Sequence, residues 1–272
     1  MPSVKGVVLK KVLPIIYVVD VSGSMMGDKI ATVNEAMHES MNVLKEVSED
    51  NADADIKVGV LKFSSGAQWV TKTGLVSLED FYWNDLQATG VTDLGMALNE
   101  LNEKMTRSSW LVSETGFCLP VFIFMSDGGP TDNWQKAFAN ISSTNRWFKE
   151  GRKIAIAIGD EADEDVLKEL TGTVEAVIKP KNLAELKSLI VAVSASASLL
   201  AGQSRMVGDE AKGEDILKDA QEKVYGEDDN VDDTEDVQVE PDDNDDDQDD
   251  TGSGASGSGN SGGWPDDDDD WN

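Results

Sequence analysis

Asp20, Ser22 and Ser24 put an oxygen at every second position of Asp20-Val21-Ser22-Gly23-Ser24-Met25-Met26-Gly27, and Gly23 permits the sharp turn that lets the three converge. A second loop, Thr89-Gly90-Val91-Thr92-Asp93-Leu94-Gly95, offers the Thr92 hydroxyl just ahead of a helical pattern. A third, Ser126-Asp127-Gly128-Gly129-Pro130-Thr131-Asp132, offers the Asp127 carboxylate at the end of an apolar run. Singly, each loop is made of the residues that turns and helix N-caps use anyway. Together they supply two carboxylates and three hydroxyls. Such a hard oxygen shell suits Mg2+ or Mn2+ and does not suit zinc, which favours imidazole or thiolate.

The elements around these loops decide whether they can meet. Val12 to Asp20 is a continuous apolar run closed by a carboxylate, as expected of a strand covered on both faces, with Pro14 tolerable only near its start. Ile30, Val33, Met37, Met41, Leu44 and Val47 recur at helical steps, with His38 just off that stripe at a solvated position. Asp55 to Phe63 and Ala67 to Lys72, joined by Ser64-Ser65-Gly66, read as a hairpin. Asp93 to Met105 and Trp134 to Phe148 are helical by spacing, and Leu119 to Met125 is a second fully apolar strand. Strands over Lys153 to Gly159 and Val174 to Ile178, and helices near Asp163 to Leu170 and Leu183 to Val193, complete the pattern.

Alternation of strand and helix predicts an α/β fold, a doubly wound, mostly parallel sheet with helices on both faces. In such sheets ligands gather outside the carboxyl ends of the strands, where all three loops lie.

The charge is unevenly spread. The 272 residues carry 53 acidic against 23 basic groups, a net of −30, and 20 of the acidic residues with none of the basic ones lie from Tyr225 to Asn272. The remainder is a mildly acidic domain, which repels phosphate, so general nucleic-acid binding is not expected. Residues 201 to 225 read as a short helix or linker. Residues 226 to 272 read as a disordered acidic tail, because Gly226 to Asp250 has almost no apolar surface to bury. Thr251 to Gly263 is a Gly/Ser linker, and Trp264 to Asn272 sets five aspartates between two tryptophans, like a recognition segment. A lone cysteine, Cys118, is expected as a small buried hydrophobe at a strand start. Three early lysines before an apolar run give a superficial leader-like look, but the run is short and ends in Asp20. No other stretch is expected to reach the length of a membrane span. A cytoplasmic location is the expectation. Trp69, Trp83 and Trp110 suit either interface or core.

The order Asp20-x-Ser22-x-Ser24, Thr92, Asp127 resembles the metal-ion-dependent adhesion site of von Willebrand factor A domains, over roughly residues 10 to 200. More narrowly, Ser22 to Gly27 and Asp127 to Trp134 resemble the TerY-like proteins of bacterial tellurite-resistance and stress-response systems. The resemblance implies a six-stranded sheet with one antiparallel edge strand and a metal at its top. It implies direct ligation by Ser22, Ser24 and Thr92, with Asp20 and Asp127 acting largely through water. It also implies a partner's Asp or Glu completing the metal's shell, with kinase-like or phosphatase-like companions. The acidic tail has no place in the common domain pattern, and the cysteine-rich appendage of some TerY-like proteins is missing from this sequence.

The expected function is thus a non-enzymatic, metal-dependent protein-binding module, with no direct contact to nucleic acid or membrane. An alternative places function in the tail, as a nucleic-acid mimic or a hook for a basic partner. A phosphoryl-transfer enzyme fits poorly. The position two residues after Asp20, where a phosphatase needs a second carboxylate, is Ser22, and no phosphate-binding Gly-x4-Gly-Lys run occurs.

Overall fold

The first apolar run becomes the middle of a sheet. A computed structural model describes residues 10–50, 54–202 and 212–226. Strand β1 (Lys11–Asp20) is flanked on both sides by parallel partners, β2 (Ala54–Ser64) and β5 (Val121–Ser126). Pro14 sits in this central strand because pairing with β5 starts only at Ile15, so its missing N–H leaves no gap in that ladder.

On one side of β2 lie β3 (Gly66–Trp69) and the two-residue β4 (Val76–Ser77), both antiparallel to it. On the far side β5 is followed by β6 (Arg152–Ala157) and β7 (Val177–Ile178), both parallel. The order is β3-β2-β1-β5-β6-β7. β3 is the antiparallel edge, and β4 makes the described sheet seven-stranded rather than six.

Strand periodicity divides the core. Leu13, Ile15, Tyr17 and Val19 point to one face, and Ile16 and Val18 to the other. On the first face they meet α1 (Asp28–Asp50), α6 (Leu183–Gly202) and α7 (Gly213–Tyr225). On the second they meet α2 (Leu94–Lys104), α3 (Trp134–Thr144), α4 (Arg146–Glu150) and α5 (Glu164–Thr171). Each fully buried Ile or Val contributes roughly 1.5–3 kcal/mol over leaving it exposed, so β1 anchors both layers.

Several expectations are amended. The helix expected over Trp134 to Phe148 breaks at Asn145. Its side-chain amide donates to the Asn102 and Met105 carbonyls (3.3 and 3.2 Å), while its Oδ1 accepts from the Phe148 N–H (3.0 Å) and starts α4. The strand expected over Val174 to Ile178 begins as a 3-10 turn, Val174–Ala176. The core continues past residue 200, since α7 buries Ile216, Leu217 and Ala220 in it.

Contrary to expectation, one stretch does reach span length: Leu183–Leu200 of α6, with mean hydropathy 1.6. Here it packs Leu186, Leu189, Ile190, Val193 and Ala197 into the core. Its buried Ser194 accepts a hydrogen bond from the Tyr17 hydroxyl (2.8 Å), and burial pushes that phenol up from its ordinary range.

Trp69 and Trp83 are buried, and Trp110 rests on Trp69 with ring centroids 4.3 Å apart, so these tryptophans pack rather than protrude. His38 is exposed and meets Asp85 (2.9 Å). Cys118 is only half-buried, just ahead of β5. The acidic tail and the terminal tryptophan segment lie outside the described residues.

Candidate metal centre

Asp20 ends β1 and Ser126 ends β5. Val19 and Met125 are register partners, so the next row sets Asp20 beside Ser126, and the Ser126 hydroxyl donates to Asp20 Oδ2 over 2.6 Å. The other oxygen, Oδ1, accepts from the Ser22 N–H (2.8 Å), which closes the turn after β1. Ser22 Oγ lies 3.0 Å from Ser24 Oγ, and Ser24 Oγ donates to Asp127 Oδ1 over 2.7 Å. Asp20, Ser22, Ser24 and Asp127 therefore form one continuous hydrogen-bonded chain across the carboxyl ends of the two central strands.

Thr92 is brought to this cluster by backbone. The Gly23 N–H donates to the Gly90 carbonyl (2.9 Å), and the Thr131 N–H donates to the Thr92 carbonyl (2.8 Å). In return Thr131 Oγ1 accepts from the Thr92 N–H (3.1 Å). Thr92 also lines a small crevice with Ser126, Gly128 and Pro130. Its hydroxyl makes no hydrogen bond to any described residue, so its lone pairs stay open for a ligand.

Gly90 makes this join possible. Its φ of +83° belongs to the left-handed region, and a Cβ there would lie 2.5 Å from Ser65 Oγ.

Asp20 and Asp127 are both buried, while Ser24 is exposed at the opening. Burial raises the Asp20 carboxyl above its ordinary value, with the nearby Asp127 charge adding to the rise. The hydrogen bonds from Ser126 and Ser22 oppose it. Although the first loop begins at Asp20, the register of β1 places its carboxylate inside rather than on the surface.

All five residues singled out by sequence, Asp20, Ser22, Ser24, Thr92 and Asp127, lie on these three linked loops. Three contributors had no signal in spacing alone. Ser126 clamps Asp20. Lys29, in the first turn of α1, places its ammonium 2.5 Å from Asp127 Oδ2. Asp132 accepts from the Gly95 and Met96 N–H groups (3.0 and 3.2 Å), capping α2 from a distant loop. The last could have been suspected from the free N–H groups that any helix start exposes.

The donor set fits a hard divalent cation. Among the described residues no cluster of three or more His, Cys, Asp or Glu side chains forms a carboxylate- or imidazole-rich cage. What exists is two carboxylates behind mostly neutral hydroxyls, an all-oxygen set that leaves coordination positions for water or an outside ligand.

The von Willebrand factor type A domain profile matches residues 15–191. No curated protein matches the chain. Among solved structures the chain is similar to a von Willebrand factor type A protein from Catenulispora acidiphila (16% identity, TM-score 0.50, covering 69% of this chain and 43% of that one). It is also similar to the pilus adhesin SpaC from Lactobacillus rhamnosus GG (13%, TM-score 0.53, 69% and 30%). A third is proximal thread matrix protein 1 of the mussel byssus, whose structure has a zinc-occupied metal-ion-dependent adhesion motif (17%, TM-score 0.50, 70% and 48%). The chain spans less than half the length of each of these. At such identities the likeness establishes the fold, a mostly parallel mixed sheet covered by helices. Domains of this kind commonly mediate metal-dependent protein–protein interaction. With the profile covering residues 15–191, the chain belongs to the von Willebrand factor type A domain family.

Proposed function

We propose that the chain is a non-enzymatic, divalent-metal-dependent protein-binding module, in which Mg2+ or Mn2+ held by Ser22, Ser24 and Thr92, with Asp20 and Asp127 behind them, takes a carboxylate from a partner's Asp or Glu. The observation that carries this reading is the hydrogen-bonded chain from Asp20 through Ser22 and Ser24 to Asp127, with the Thr92 loop tied to the same loops through Gly90 and Thr131. Neutral hydroxyl ligands leave the ion electrophilic, and the ion would supply one thing, a coordination site for an anionic oxygen.

The rim supports a protein as the partner. Met26, Val91 and Met96 are exposed on the loops and helix start around the site. Large apolar groups at a surface opening favour desolvated contact with another protein. Against catalysis, Ser22 occupies the position where an acid/base carboxylate would be needed.

The motifs Ser22 to Gly27 and Asp127 to Trp134 favour a place in a TerY-like stress-response or tellurite-resistance complex, alongside kinase-like or phosphatase-like companions. A second reading is favoured by composition alone. The 20 acidic residues from Tyr225 onward would draw a basic partner through a salt-sensitive field, with the folded domain as carrier.

The test is a set of pull-downs from native lysate with wild type and Asp20→Ala, each in excess Mg2+ or in chelator. Partners lost from both the variant and the chelated sample, and restored by Mg2+ to the wild type alone, are expected. Partners that persist in both and vanish at high salt would transfer the function to the tail.

A further inference from the structure

Lys29 is built into the site. Its ammonium lies 2.5 Å from Asp127 Oδ2, while the other Asp127 oxygen is taken by the Ser24 hydroxyl at 2.7 Å. Asp127's side chain is fully buried and that of Lys29 is 31% exposed, so the lysine reaches inward from the surface. It does so over Gly159, whose φ is +86°. A Cβ there would stand 2.9 Å from Lys29 Cε and 3.1 Å from Nζ. The path of the lysine thus depends on a position that carries no side chain.

The charges of the site then add in an informative way. Asp20 and Asp127 bring two negative charges and Lys29 brings one positive. A divalent cation alone would cancel the two carboxylates and leave a neutral centre. Relative to these two carboxylates alone, Lys29 would leave the loaded centre one positive charge richer, a surplus that an anionic ligand would offset; the Asp132 carboxylate on the third loop is taken up by the Gly95 and Met96 N–H groups.

We propose that Lys29 is the specificity-determining residue of this site: by neutralising Asp127 it weakens the hold on the metal and adds the positive charge that favours an anionic carboxylate ligand. The proposal rests on the metal-binding reading above. Its physical basis is ordinary electrostatics. A cation within a few ångströms of a bound dication repels it, and a partly exposed ammonium does so by about tenfold in affinity. The same field attracts the anionic ligand by a similar factor.

The test uses the full chain and Mn2+ alone, with uptake followed by isothermal titration and the Asp20→Ala full chain as background for ions held elsewhere, the acidic tail included. Acetate is the carboxylate probe, read by the fall in water-proton relaxation as it replaces water on the bound Mn2+. Lys29→Met is expected to bind Mn2+ about tenfold more tightly and to need several-fold more acetate for half-effect. Lys29→Arg, which keeps the charge, is expected to stay within about twofold of wild type on both counts. Unchanged or weaker Mn2+ binding by Lys29→Met, with a normal thermal melt, would overturn the proposal and reduce the pair to a structural one. If Lys29→Met melts early, equal acetate response in Lys29→Arg and Lys29→Gln overturns it instead. Equal uptake by wild type and Asp20→Ala would sink the metal reading itself, and this proposal with it.

Discussion

The hydroxyl of Ser126 donates to Asp20 Oδ2 over 2.6 Å, so the last residue of β5 holds the carboxylate that ends β1 in a fully buried position. A carboxylate kept there without a metal is destabilising, because burial disfavours its charged form.

Asp20→Asn keeps the shape and an acceptor oxygen while removing that charge. We expect its melting temperature in chelator to equal or exceed wild type by a few degrees, about 1 kcal/mol for a domain of this size. The increase in melting temperature that Mg2+ gives the wild type should vanish. Scanning calorimetry with and without Mg2+ checks both, and a loss of stability in chelator would contradict the account of Asp20.

Gly90 joins the first and second loops through its carbonyl, and its backbone is left-handed. Gly90→Ala should cost roughly 1–3 kcal/mol, from backbone strain and the clash with Ser65. Because Thr92 is two residues on, metal binding should weaken as well. Urea denaturation and Mn2+ titration of the same variant would show whether the two losses travel together.

Asp132 caps α2 from the third loop, and α2 starts directly beyond Thr92 and Asp93. Asp132→Ala should cost about 1 kcal/mol in stability. It should also speed amide exchange at Gly95 and Met96, while residues in α5 stay protected. Uniform exchange across both helices would argue against a local cap.

Lys153 gives a pH signature far from the metal site. Its ammonium donates to the Phe148 and Gly151 carbonyls (2.9 and 3.1 Å), yet burial pushes it down to about 8. The unfolded chain keeps the proton up to its ordinary value of about 10.4. Between those values the unfolded state binds more protons, so this residue's contribution makes stability rise with pH through that window. Below about pH 8 both states are protonated and the contribution is flat. Lys153→Met should lack that rise, which appears as a wild-type-minus-variant difference in urea midpoints between pH 8 and 10. A difference that falls with pH would reverse the assignment.

Much of this was legible because local rules and the fold agree. The apolar runs ending in Asp20 and Asp127 became β1 and β5, and the oxygen spacing of Asp20, Ser22 and Ser24 needs only one turn to converge. Helical spacing carried across Asn145, since Ile141 and Phe148 suit one continuous helix. The break appears only because the Asn145 amide finds the Asn102 and Met105 carbonyls on a neighbouring element. The short helix read within residues 201 to 225 is α7, and its high charge hid only that Ile216, Leu217 and Ala220 are buried in the core.

The sequence by itself determined the family of elements, the five oxygen-bearing residues and the acidic tail, because periodicity, turn chemistry and composition are local properties. Only the tertiary structure decided the depth of Asp20, the clamp from Ser126, the cap from Asp132 and the reach of Lys29 across Gly159 to Asp127. Each depends on which strand ends and helix starts become neighbours. That is settled by packing both faces of the sheet at once, a condition no short window of sequence contains.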